Sequence, residues 1–220
     1  MFRKILISAM LIAGSTAANA SLLFSEGFDS IGSMNTAGWL AGNFSSPPGD
    51  SSWFLGNTAV FNSHEGADDS YIAADFANAA YGGNIDNWLV SPLFAAQSGS
   101  VLSFFTRTAG ANPFGGDNLE LLYNNVGTTN LLDFVSLGVI ASAGYPTDWT
   151  AFNFTYGGAD ANVRFAFRYR VTDTSTYGDY IGIDSMEVTV PEPGTLLLLG
   201  AGLLLLPLAR RRRIPGQDLS

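Results

Sequence analysis

Residues Val163–Val171 alternate without a break: every odd position is apolar or aromatic, and three of the four even ones are Arg164, Arg168 and Arg170. A period of two marks a β-strand with one face in the core and the other toward solvent or carboxylates. Tyr180–Val190 alternates as well, apolar at Ile181 and Ile183 and then at Met186, Val188 and Val190. Its phase changes at Asp184, which predicts a bulge there. Shorter apolar runs fall at Leu22–Phe28, within Trp53–Phe61, and at Ser70–Phe76, Trp88–Phe94, Val101–Thr106, Leu119–Tyr123, Leu131–Ile140 and Thr150–Tyr156, with Gly, Asn, Ser and Pro between them. Those residues are the ones turns require. Pro92 cannot donate to a ladder, so it belongs at a strand end, an edge or a bulge. The stretch 31–52 reads as a loop, and no helical period is apparent in the body. About ten strands in about 170 residues predict an all-β fold, a jelly-roll β-sandwich of antiparallel strands.

Two apolar runs do not alternate, and they lie at the ends. Arg3 and Lys4 precede Ile5–Ala13, and Ala18-Asn19-Ala20 follows with small residues where a signal peptidase cuts. Residues 1–20 are therefore expected to be a signal peptide and Ser21–Val190 the body. At the other end Thr195–Ala209 is an unbroken apolar run that closes on Arg210, Arg211, Arg212 and Arg213. Counted from Gly194 it reaches roughly 24 Å at about 1.5 Å per residue, just short of a hydrocarbon core of about 30 Å. It is expected to be a single C-terminal transmembrane helix whose arginines stay on the cytoplasmic side, leaving 214–220 as a cytoplasmic tail and the body outside.

Composition sharpens this picture. Between the two ends, four arginines and no lysine face 17 carboxylates, a formal charge of −13 against −9 for the whole chain. Such a surface disfavours nucleic acid and anionic lipid as partners, so no nucleic acid is expected, and it favours divalent cations. The chain has no cysteine. Disulfides, zinc thiolate sites and thiol catalysis are thereby excluded, and the core has to stabilise an exported domain by itself or with a metal.

Pro191, Glu192 and Pro193, the short apolar run and the four terminal arginines together resemble the PEP-CTERM sorting signal of Gram-negative envelope proteins. The resemblance implies recognition and removal of the tail by an exosortase, a membrane transpeptidase. Through the body an ordered series also resembles the choice-of-anchor J and cleaved-adhesin domains, related in layout to MAM domains. The series is Ser25–Asp29, Gly38-Trp39, Asp50–Trp53, Ile85–Pro92, Leu102–Phe104, Asp148-Trp149, Arg164–Tyr169 and Tyr180–Asp184. This second resemblance implies a jelly-roll recognition or adhesion module.

Candidate chemistry is sparse. Glu26 on the first strand and Asp184 on the last are expected to converge where the ends of the sandwich meet, with Asp29 or Asp50 completing an oxygen cage for a structural calcium ion. Related jelly rolls hold calcium with such a pair. The sole histidine, His64, precedes Glu65, Asp68 and Asp69. Neighbours in an extended loop point apart, so this cluster reads as a solvated turn. No glycine–serine elbow accompanies His64, and 17 carboxylates single out no catalytic pair. Trp39, Trp53, Tyr81, Tyr145 and Trp149 offer either a glycan-stacking platform or core filling. The expectation is an exported surface or exopolysaccharide-matrix protein, non-enzymatic, that adheres or binds glycan. A carbohydrate-active enzyme and a purely structural matrix protein are the alternatives.

Overall fold

The computed structural model describes residues 20–109 and 116–190. The expected signal peptide, sorting signal, transmembrane helix and tail lie outside the described residues, and among the described ones no helix is long and apolar enough to cross a membrane.

In chain order the strands are β1 (Ser21–Glu26), β2 (Leu40–Asn43), β3 (Ser46–Pro48), β4 (Phe54–Leu55), β5 (Ile72–Asp75), β6 (Ala79–Val90) and β7 (Phe94–Ala96). They continue with β8 (Val101–Thr108), β9 (Asn118–Asn124), β10 (Val135–Ile140), β11 (Thr150–Thr155), β12 (Ala161–Val171) and β13 (Tyr180–Val190). One sheet runs β11-β8-β13-β5-β4, with β1 also on β13. The other runs β10-β9-β12-β6-β2, with β3 on β6 and β7 on β12. Every pairing is antiparallel. The antiparallel β-sandwich read from the strand pattern is the observed fold.

The two strands with the clearest alternation are the central ones. β12 is flanked by β9 and β6, and β13 by β8 and β5. Val163, Phe165, Phe167, Tyr169 and Val171 enter one core with Leu102, Phe104, Ile181, Ile183, Met186 and Val188 of the opposite sheet. Phe104 and Phe167 meet edge to face across it, ring centres 4.8 Å apart. Burying each such side chain contributes about 1.5–3 kcal/mol. At Asp184 the register of β13 against β8 shifts, and Ser185 takes φ 50. That is the bulge the change of phase predicts.

Each sheet also carries a smaller apolar cluster outside this core. Phe61, Tyr71, Ala73 and Tyr180 form one, with Phe54 and Trp149 packed against it. Gly182 in β13 makes room for it, since an added Cβ would stand 2.9 Å from the Phe61 ring and 3.0 Å from Trp149 and Tyr71. Trp88, Val90, Leu122 and Ala166 form the other, with Leu131 and Phe134 packed against it.

The loop expected over 31–52 contains a helix, α1 (Ile31–Ala37), which corrects the sequence reading. Its interior of Gly, Ser, Asn and Thr has low helical propensity. The ends and one contact hold it instead: the Ser30 hydroxyl accepts from Ser33 N, Gly38 closes it at φ 94, and Met34 is buried.

Candidate functional site

The arginine face of β12 lies in the middle of the seven-stranded sheet, and the register decides its partners. Arg168 stands opposite Trp88 of β6 and Glu120 of β9, while Arg170 stands opposite Asp86 and Asn118. The Arg168 guanidinium grips Asp86 with both arms, Nε to Oδ1 at 2.6 Å and Nη2 to Oδ2 at 2.7 Å. It lies 4.8 Å over the Trp88 ring and reaches Glu120 Oε2 with Nη1 at 3.5 Å. Trp88 Nε1 donates to Asp86 Oδ1 at 2.8 Å. Hydrogen bonding to Asp86 holds the Arg168 pKa above its ordinary value. Arg170 is freer, about half exposed and 3.8 Å from Glu120 Oε2.

Arg168, Arg170, Asp86 and Glu120 line an open groove of about 450 Å³, with Asn84 and Asn118 at its wall. Amide, carboxylate and guanidinium groups thus present donors and acceptors together from three hydrogen-bonded strands. Arg168 sits between the two carboxylates and compensates them, which suits recognition through hydrogen bonds rather than proton transfer. The sequence shows the arginine row; its pairing with Asp86 and Glu120 follows from strand order.

Of the four carboxylates expected to hold calcium, the structure gathers three. Glu26, Asp29 and Asp184 line one cavity of about 310 Å³, joined by Glu65 and Glu187 and by no cationic residue. Asp50 is not with them: it lines a separate cavity beside Phe76 and Tyr81. The turn 49–52 is carried off by its bonds to the Ala77–Asn78 backbone, Gly49 N to Asn78 O at 3.0 Å and Ser51 N to Ala77 O at 3.3 Å.

Within the acidic cavity much of the acceptor capacity is used. Glu26 accepts from Phe28 N and Trp39 Nε1, each at 2.9 Å. The fully buried Asp184 accepts from His64 N at 2.7 Å, Glu65 N at 3.1 Å and Ser185 N at 2.6 Å. Burial pushes its pKa up, and those N–H donors oppose the shift. Asp29 takes the Ser70 hydroxyl at 3.0 Å, and both Asp29 and Glu65 are exposed. The oxygens suit calcium in kind. Among the described residues no three such side chains converge on one point.

His64 is not the solvated loop residue expected. Its ring stacks on Phe105 at 3.6 Å and its Nδ1 is 3.2 Å from Ser185 Oγ. Asp184 binds the His64 backbone rather than the ring, so the three residues do not form a relay. Glu65, Asp68 and Asp69 remain exposed, as a solvated turn requires. The aromatic platform resolves mainly into core: Trp39, Trp53 and Tyr145 are buried. Trp149 packs on Phe61 and donates to Asn62 O at 2.9 Å, which leaves Tyr81, 88 % exposed, as the one uncovered member of the five.

Residues 189–213 match the PEP-CTERM protein-sorting motif. The resemblance of its Pro-Glu-Pro, apolar and arginine segments to that sorting signal is thereby confirmed. The fold is shared with cleaved adhesin domains of Lys-gingipain. The K2 domain has a TM-score of 0.54 at 15 % identity, over 76 % of this chain and 99 % of that one. The K3 domain, from Porphyromonas gingivalis, has a TM-score of 0.54 at 16 % identity over 78 % and 99 %. No curated protein matches the chain in sequence.

Proposed function

We propose that this protein is exported, handed to an exosortase by its tail, and placed at the cell surface or in the exopolysaccharide matrix, where its body binds glycan without turning it over. The observation that carries the reading is the groove on β6, β12 and β9, where Arg168 braces Asp86 and Glu120 beside Asn84, Asn118 and the freer Arg170. Sugar hydroxyls both donate and accept, and such a mixed, rigid array matches them. Calcium enters as a structural ion at the Glu26, Asp29 and Asp184 cavity, supported by the crowding of carboxylates there without a compensating cation.

A glycan array probed with the purified protein and with Arg170→Ala tests the reading. Binding by the wild type that weakens in the variant supports it, and product analysis of each bound glycan should show no cleavage. A wild type that binds no glycan removes the proposal, and released oligosaccharides would replace it with the enzymatic alternative.

A further inference from the structure

We infer that the cavity between Phe76 and Tyr81 is a second glycan-contacting site, which takes the C–H face of a neutral sugar ring. It rests on the glycan-binding reading above and adds a place and a ligand class that the groove does not supply. Phe76 is 55 % and Tyr81 88 % exposed, and both line one cavity of about 290 Å³. Two uncovered aromatics on one small concavity are a surface feature that folding alone does not ask for.

The walls are held rigidly. Phe76 N donates to Asp179 O at 2.9 Å, and the Asp75 carboxylate accepts from Ala77 N at 3.0 Å. Across the cavity the Thr174 hydroxyl donates to Ala80 O at 2.7 Å and accepts from Gly83 N at 3.2 Å. The floor is cut close: a Cβ on Gly49 would stand 2.0 Å from Ala77 O and 2.8 Å from the Ala79 backbone. Only a residue without a side chain lets the turn approach this far.

The chemistry selects the ligand class. Aromatic faces pack against the apolar face of a pyranose, and the exposed Asp50 carboxylate at the same cavity accepts hydroxyl protons. A uronate or sulfated sugar would meet Asp50 and a body with 17 carboxylates and four arginines. The cavity's size suits one or two rings. It also neighbours the groove in the chain, since Tyr81 lies three residues before Asn84 on β6 and Thr174 two after Thr172.

The test titrates a panel of neutral, uronic and amino-sugar oligosaccharides, by calorimetry, into the purified wild type, Tyr81→Ala, Phe76→Ala/Tyr81→Ala and the groove variant Arg170→Ala. Tyr81 is almost wholly exposed, so Tyr81→Ala should keep the wild-type melting temperature, whereas the double variant, which also removes the half-covered Phe76, should melt somewhat lower and stay folded at the titration temperature. Loss of stacking is expected to weaken neutral-glycan binding by about tenfold in Tyr81→Ala and further in the double variant. A double variant that binds neutral glycans as the wild type does, while Arg170→Ala loses them, overturns this site and leaves the groove standing. Aromatic variants impaired only toward charged sugars overturn the ligand class. A wild type that binds nothing on the panel overturns both readings.

Discussion

Ser21 stands directly opposite Val190 in the antiparallel pair of β1 and β13. The first residue after the expected leader is thus the ladder partner of the last residue before Pro191, and the chain enters and leaves the body at one place. β1 bulges between Leu22 and Phe24, then runs on to pair Glu26 with Met186. The Phe24 ring stacks on Phe94 at 5.6 Å and tilts against Trp39 at 6.1 Å.

A cut at Ser21 therefore preserves β1 whole. Mass spectrometry of the exported protein should give a chain beginning at Ser21 and lacking the arginine cluster. Phe24→Ala should cost about 2 kcal/mol in urea unfolding, below the about 3–5 kcal/mol of a fully buried phenylalanine because this one is half-buried. A mature chain beginning beyond Glu26 would contradict the role given to β1.

Arg168 ties three strands at the groove. Arg168→Met removes a two-armed bond to Asp86 and should destabilise the protein by about 1–2 kcal/mol, the lower range because both partners are partly exposed. Arg168→Lys should not restore it, since an ammonium cannot grip both carboxylate oxygens and lie flat on Trp88. Urea unfolding of the pair checks both statements, and a full rescue by lysine would show that charge alone suffices.

Calcium at millimolar concentration should raise the melting temperature of the wild type more than sodium chloride at equal ionic strength. Asp184→Asn and Glu26→Gln should lose that increment, whereas Asp50→Asn should keep it, because Asp50 lines another cavity. Equal shifts with both salts would show screening rather than a bound ion.

Asp75 gives the stability a pH dependence of defined sign. Burial raises its pKa above 3.8, against hydrogen bonds from Ser51 and Ala77 N. The folded state then holds a proton that the unfolded chain has released, so this contribution is complete below 3.8 and is lost as the pH rises through the folded value. Asp75→Asn keeps an Oδ1 acceptor without the charge. Its unfolding free energy, relative to the wild type, should rise between pH 4 and neutrality; a constant difference would place the dependence elsewhere.

Much of this was legible in the chain. β12 and β13 alternate because each is paired on both edges and turns one face into the main core, and the phase change at Asp184 appears as the bulge with Ser185 at φ 50. The helix α1 was not legible, since its propensity is low and its caps are two single residues. Nor was the first half of β6, where Ala79 and Ala80 precede Gly82-Gly83 and carry no alternation. Asn87 is polar yet fully buried, because Ser52 and Asn78 supply its partners from 35 and 9 residues away.

The order of apolar and polar side chains, the acidic charge without cysteine and the Pro-Glu-Pro tail determined by themselves that this is a sorted protein with an antiparallel sandwich, because local periodicity and composition act on near neighbours. Strand order decided the rest. It set Arg168 between Asp86 and Glu120, buried Trp39, Trp53 and Tyr145 while leaving Tyr81 in water, and put Glu65 rather than Asp50 beside Glu26 and Asp184. Those outcomes depend on which strands lie side by side, and residues up to about 170 positions apart meet only after the sheets have formed.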